Sequence, residues 1–122
     1  MPVARIAVLI VEDEPLIRLN ISDELSSLGY EVFEAPDAHQ AVTLLNRHPE
    51  IQVLFTDIDM PGNIDGLQLA RLVRSRWPPI KIIVTSGKHY FTHADLPVEG
   101  KFVPKPYSSA FVVETICDVM KM

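Results

Sequence analysis

The sequence is short of cysteine, of long apolar runs and of positive charge, and each shortage removes a class of protein. Cys117 is the only cysteine in 122 residues, so no disulfide can form within the chain. Its place in an apolar helical pattern reads as a small buried hydrophobe with no chemical role. No stretch reaches the roughly 20 consecutive apolar residues that a membrane helix requires. The opening residues 1–11 carry Arg5 in their middle and no small-residue cleavage site follows them, which is not the pattern of a secretion signal. The expected location is therefore the cytosol, with no membrane partner. The formal net charge is −5, a balance that does not attract polyanions and argues against direct nucleic-acid binding. Arg71, Arg74 and Arg76 do cluster, but at helical spacing they read as a solvated helix face. Repeats, heptads and low-complexity tracts are lacking as well.

What is present suffices for one core: 48% of the residues are hydrophobic and 22% charged, over a length usual for one domain. The expectation is a single domain over residues 1–122 with no output domain attached. Residues 4–11 are apolar on both alternating faces apart from Arg5, the mark of a strand covered on both sides. Similar runs at 30–34, 52–56, 80–85 and 101–103 predict five strands, several rich in β-branched and aromatic residues. Between them lie apolar stripes at helical spacing: Ile17, Ile21, Leu25 and Leu28; Ala38, Ala41, Val42 and Leu45; Leu69, Leu72 and Val73; Val112, Ile116 and Val119. Pro15 suits a first helical turn, Gly29 a helix end, and Asp65 and Ser108 suit helix caps. Residues 86–100 have little periodicity, so the fourth connection is expected to hold a short or irregular helix. Alternating strands and helices imply right-handed crossovers and a doubly wound parallel sheet with helices on both faces.

In such a sheet the ligand site lies beyond the carboxyl ends of the strands. Strand one runs into Glu12, Asp13 and Glu14, strand three into Asp57 and Asp59, strand four into Thr85 and Ser86, and strand five into Pro104, Lys105 and Pro106. Carboxylates gathered at one edge repel unless a cation sits among them, and hard oxygen ligands suit Mg²⁺. Mg²⁺ takes few protein carboxylates and completes its shell with water and phosphate oxygens, so a phosphate is the expected substrate group. One carboxylate can attack phosphorus while Lys105 and the Thr85 hydroxyl steady the phosphoryl oxygens. Glu14, directly before Pro15, reads as part of a helix start. His89 and His93 have the spacing of a helical metal pair but no third ligand nearby, and read as surface residues. His39 and His48 flank the second helix on its solvent side.

The segments Val11-Glu12-Asp13-Glu14, Thr56-Asp57-Ile58-Asp59-Met60-Pro61, Asp65-Gly66, Val84-Thr85-Ser86-Gly87 and Lys105-Pro106 together resemble the signature of response-regulator receiver domains, in order and across nearly the whole chain. The resemblance is to the CheY-like, stand-alone type and implies a flavodoxin-like sheet with strand order 2-1-3-4-5. It makes Asp57 the phosphoacceptor and places the metal on the carboxylates of Asp13 and Asp57, on Glu12 chiefly through a water, and on the backbone carbonyl of Asp59. It gives Thr85 a phosphoryl oxygen to bond and a shift after phosphorylation, and pairs Lys105 with the phosphoryl group or, without it, with Asp57. It also implies a cis peptide between Lys105 and Pro106. The phosphodonor would be a histidine kinase or histidine phosphotransfer protein, and output would pass to an unidentified downstream protein.

Three features depart from the usual pattern. Gly62-Asn63-Ile64 is one residue longer than the spacing common in the family, which predicts a remodelled loop beside Asp57. Phe102 takes the aromatic switch position without the hydroxyl of a tyrosine. The weak helical signal from residue 88 to residue 100 falls where the family signals, and phosphorylation is expected to order it. A haloacid-dehalogenase-type phosphatase is the rival enzyme, since Asp57-Ile58-Asp59 has its Asp-x-Asp form. That family carries the pair on its first strand, whereas here it ends the third. A receiver-like module that binds its partner regardless of phosphorylation is the second rival, and the intact set Glu12, Asp13, Asp57, Thr85 and Lys105 argues against it.

Overall fold

Val8, Leu9 and Ile10 are fully shielded from solvent, and their successive side chains point to opposite faces, so the strand that holds them must be covered on both sides. In the computed structural model, which describes residues 5–60, 65–92, 96 and 98–121, this strand is β1, Ala7–Val11. It is followed by α1 (Pro15–Ser27), β2 (Glu31–Ala35), α2 (Ala38–Arg47), β3 (Ile51–Asp57), α3 (Gly66–Arg76), β4 (Lys81–Ser86), β5 (Lys101–Pro104) and α4 (Ser109–Met120). The strands form one parallel sheet in the order β2-β1-β3-β4-β5, as the resemblance implied. No described helix is long and apolar enough to cross a membrane.

The pleat divides the core into two layers. Leu9, Leu54, Ile82, Val84 and Phe102 face Ala41 and Leu45 of α2 and Leu69 and Val73 of α3. Val8, Ile10, Val53, Phe55, Ile83 and Val103 face Ile21 and Leu25 of α1 and Val112, Ile116 and Val119 of α4. Helix ends follow the boundary chemistry. Pro15 opens α1, Gly29 lies just beyond it at φ +98°, Asp65 and Gln68 form a reciprocal capping box on α3, and the Ser108 hydroxyl caps α4 by accepting from the Phe111 N–H.

β3, β4 and β5 run further toward their carboxyl ends than the apolar pattern indicates, because the ladder continues through polar residues: Asp57 pairs with Thr85, and Ser86 with Pro104. β1 begins at Ala7 and β2 is displaced by one residue. Between β4 and β5 the described residues form no helix; His93, Ala94, Asp95 and Pro97 lie outside them, as does the Gly62-Asn63-Ile64 loop.

Two sequence readings need correction. Cys117 is exposed, because the buried stripe of α4 runs through Val112, Thr115, Ile116 and Val119 and position 117 lies off it. Arg74 is not a freely solvated residue. It donates from Nη1 to the Pro78 carbonyl at 2.9 Å and from Nη2 to the Glu99 carbonyl at 2.8 Å, fastening the approach to β5 onto α3. His48 is half-buried, its ring 4.4 Å from that of Phe33, while His39 is exposed.

Candidate functional site

Asp57 is the last residue of β3, between β1 and β4, and is 2% exposed. Its two carboxylate oxygens have different partners. The Asp59 N–H donates to Oδ1 at 2.9 Å, and the Lys105 ammonium donates to Oδ2 at 2.8 Å. Lys105 also reaches Glu12 Oε1 at 2.7 Å. It is placed there by its own N–H, which donates to the Ser86 carbonyl at 3.0 Å, and the peptide that follows it, Lys105–Pro106, is cis. The strand ends that the sequence marks therefore do converge.

Glu12, just past β1, is held as firmly. Its N–H donates to the Ala35 carbonyl on β2, and its Oε2 accepts from the Glu14 N–H at 3.1 Å. Arg18 of α1 donates to the Glu12 carbonyl at 2.8 Å and approaches Glu34 at 3.4 Å. Glu12, Asp13 and Asp57 each offer a carboxylate oxygen within 4.8 Å of the other two. Three acids with one ammonium among them form a net negative pocket of hard oxygens, which suits a small divalent cation.

The electrostatics carry the same imprint. Burial pushes the Glu12 carboxyl above its usual range, the charge of Asp57 adds to this, and bonds from Lys105 and the Glu14 N–H offset only part of it. Burial opposes the charge on Lys105, but its bonds to Asp57 and Glu12 outweigh that and hold it above the ordinary lysine value. Tyr107, whose ring meets Phe55 edge-on at 5.5 Å, is raised to about 12, first by burial and then by the charge of Glu12.

Thr85 pairs with Asp57 across the ladder, and its Oγ1 is buried with no hydrogen-bond partner among the described residues. A buried hydroxyl without a partner is uncommon, and this one is on the residue beside the acidic pocket. Asp59 behaves differently from the other acids. Its carboxylate accepts from the Ser86 hydroxyl and bonds His89 Nδ1 at 3.1 Å. Burial works against its charge, yet these bonds from Ser86 and His89, with the Lys88 N–H, hold it below the usual range. Phe102 stands apart from the pocket, buried under the edges of the Tyr90 and Phe91 rings at 5.4 and 5.7 Å.

The model of the response regulator receiver domain family matches residues 8–116. The chain belongs to the response-regulator receiver domain family. Among curated proteins this receiver domain is 34% identical over 118 residues to the sensor kinase CckA of Brucella abortus, covering 93% of the chain and 12% of that kinase. It is 30% identical to a chemotaxis protein CheY homolog of Campylobacter jejuni, covering 92% of the chain and 90% of that protein. Among solved structures, a response regulator receiver protein from Pseudomonas putida superposes with a TM-score of 0.82 at 29% identity, covering 96% and 99% of the two chains. The receiver domain thus resembles both a small part of a large kinase and nearly the whole of a small signalling protein.

Three residues of this receiver's site were not singled out from the sequence. Arg18 sits within the polar face of α1 and carries no signal of its own. Ser86 appeared only as the neighbour of Thr85, and His89 only as half of a metal pair whose other half, His93, lies outside the described residues. The one available signal was position, since Ser86 ends β4 and Arg18 and His89 follow strands that end at the site.

Proposed function

We propose that this receiver accepts a phosphoryl group on Asp57 from the phosphohistidine of a histidine kinase or histidine phosphotransfer protein, in a Mg²⁺-dependent reaction, and signals through a protein partner. The observation that carries the reading is the Asp57 carboxylate, fixed between the Lys105 ammonium and the Asp59 N–H, with the Thr85 hydroxyl, which has no partner among the described residues, on the next strand.

In the forward step a carboxylate oxygen of Asp57 forms a bond to phosphorus. The bond from phosphorus to the donor imidazole nitrogen breaks, and that nitrogen keeps the electron pair. Lys105 is released from pairing with Asp57 and neutralises a phosphoryl oxygen, while the Thr85 hydroxyl donates a hydrogen bond to another. Glu12, Asp13 and Asp57, with the carbonyl of Asp59, would hold Mg²⁺, which when bound supplies positive charge to the phosphoryl oxygens. Hydrolysis regenerates the carboxylate when water attacks phosphorus, so the domain assists its own charging and discharging without turning over a separate substrate.

A groove of about 910 Å³ supports the identity of the donor. It runs from Leu16 and Leu19, exposed on α1, to Lys105, Pro106 and Tyr107, so a helix lying in it can bring a histidine to the pocket. The phosphatase alternative loses ground because the Asp59 carboxylate is engaged by Ser86 and His89 and is not a free acid. Incubation with acetyl phosphate and Mg²⁺ followed by intact mass tests the reading. The wild type should gain one phosphate, and Asp57→Asn or chelation of the metal should prevent it. A wild type that gains none would favour a module that binds regardless of phosphorylation.

A further inference from the structure

His89 is bound into the pocket's framework although the phosphoryl step does not use it. Its Nδ1 bonds Asp59 Oδ1, the Ser86 hydroxyl bonds Asp59 Oδ2, and the Lys88 and His89 N–H groups both donate to the Ser86 oxygen, at 3.0 and 2.9 Å. Asp59 in turn lends its N–H to Asp57 Oδ1. A chain of hydrogen bonds therefore runs from the segment after β4 to one oxygen of the acceptor. It also decides where a fourth carboxylate points. Asp59 lies two residues from Asp57, and its side chain is only 14% exposed, yet the acidic group around the acceptor comprises Glu12, Asp13 and Asp57 without it.

Resting on the receiver reading above, we propose that His89 is a positioning residue for the phosphoryl chemistry. By holding the Asp59 carboxylate on the β4 side, it keeps a fourth negative charge off the acceptor and keeps the Asp59 N–H on Asp57. Without His89 the carboxylate retains Ser86 but loses the ring donor. A mostly covered carboxylate that loses a partner is free to turn toward a cation, and the pocket offers Lys105 and would offer the metal. Either competes with Asp57 and adds repulsion to an incoming anionic phosphoryl donor. The His89 side chain is 60% exposed and its ring contact is with Phe91 at 6.4 Å, so its truncation opens no cavity in the buried core and the variant folds.

The test is the rate of phosphate uptake from acetyl phosphate with Mg²⁺, read by intact mass over time, with thermal unfolding as a control for stability. His89→Ala should slow uptake about threefold to tenfold, the net worth of one partly exposed hydrogen bond expressed as a rate. His89→Asn, whose amide nitrogen sits where Nδ1 does, should recover most of the rate. In an Asp59→Asn background His89→Ala should have no further effect, because the charge it restrains is gone. Uptake by His89→Ala at the wild-type rate, or equal slowing in the Asp59→Asn background, overturns the proposal and leaves the receiver reading standing. A wild type that takes up no phosphate overturns both.

Discussion

Asp57 and Phe102 lie two strands apart in the same sheet, and their surroundings are built on different plans. Asp57 ends a seven-residue strand paired on both sides, and each of its oxygens has a fixed donor. Phe102 lies on β5, a four-residue edge strand, and two aromatic rings from a connection with no described helix cover it. Tyr90, one of them, is itself 74% exposed. In the proposed function Asp57 carries chemistry at phosphorus, which tolerates little misplacement and is best set where the backbone is most constrained. A readout needs an element with a second arrangement of similar energy, and an edge strand with a light cover offers one.

The most severe test of this contrast uses two glycines that each allow a close backbone approach. A Cβ on Gly66 would lie 2.0 Å from the Asp57 carbonyl oxygen, and one on Gly100 would lie 2.4 Å from that of Ile82. Neither neighbour can yield without moving a strand, so alanine at either position should lower stability by about 2 to 4 kcal/mol in chemical denaturation. The two should separate in function. Gly66→Ala displaces the backbone of Asp57 itself and should slow phosphate uptake far more than Gly100→Ala, which presses on Ile82 near the start of β4. Equal slowing would mean that the two regions are not mechanically distinct.

How much of this was legible beforehand follows the same division. The central strands announce themselves because Val8, Leu9, Ile10, Leu54 and Ile83 must be apolar on both faces, and a covered parallel strand has few other readings. The acidic pocket was legible because strand ends converge in a doubly wound sheet, so Glu12, Asp13, Asp57, Thr85 and Lys105 could be gathered without coordinates. The bonds at the end of β4 and just beyond it were not. Ser86, Lys88 and His89 act through hydrogen bonds between neighbours in a turn, which leave no periodic trace, and Arg74 holds Glu99 from 25 residues away. Cys117 was misplaced because one step around a helix turns a buried position into an exposed one.

Arg74 gives the intermediate test, since it fastens the β4–β5 connection without touching the pocket. Arg74→Met keeps the apolar stem and removes both hydrogen bonds to backbone carbonyls, which should lower stability by about 1 kcal/mol. Amide exchange should quicken at residues 98–103 and stay unchanged along β1 and β3. Phosphate uptake should match the wild type. If uptake falls with the exchange protection, the connection supports the chemistry as well as the readout.

The smallest expected effect concerns the phenol that burial and the pocket's charges together hold protonated. Tyr107, just before α4, has its hydroxyl buried without a partner among the described residues, so Tyr107→Phe should change stability near neutrality by less than about 1 kcal/mol. The difference should appear in alkali. Folding raises this phenol from 10.0 to about 12, so the unfolded chain releases its proton first. Stability must then fall as pH rises through that window. Lys105, also raised on folding, loses its contribution above its unfolded value and adds to the same decline in both proteins. The wild type should therefore lose stability more steeply than Tyr107→Phe between pH 10 and 12 in denaturant titrations. Parallel curves would show that neither burial nor the charges of Glu12 and Asp57 raise this phenol on folding.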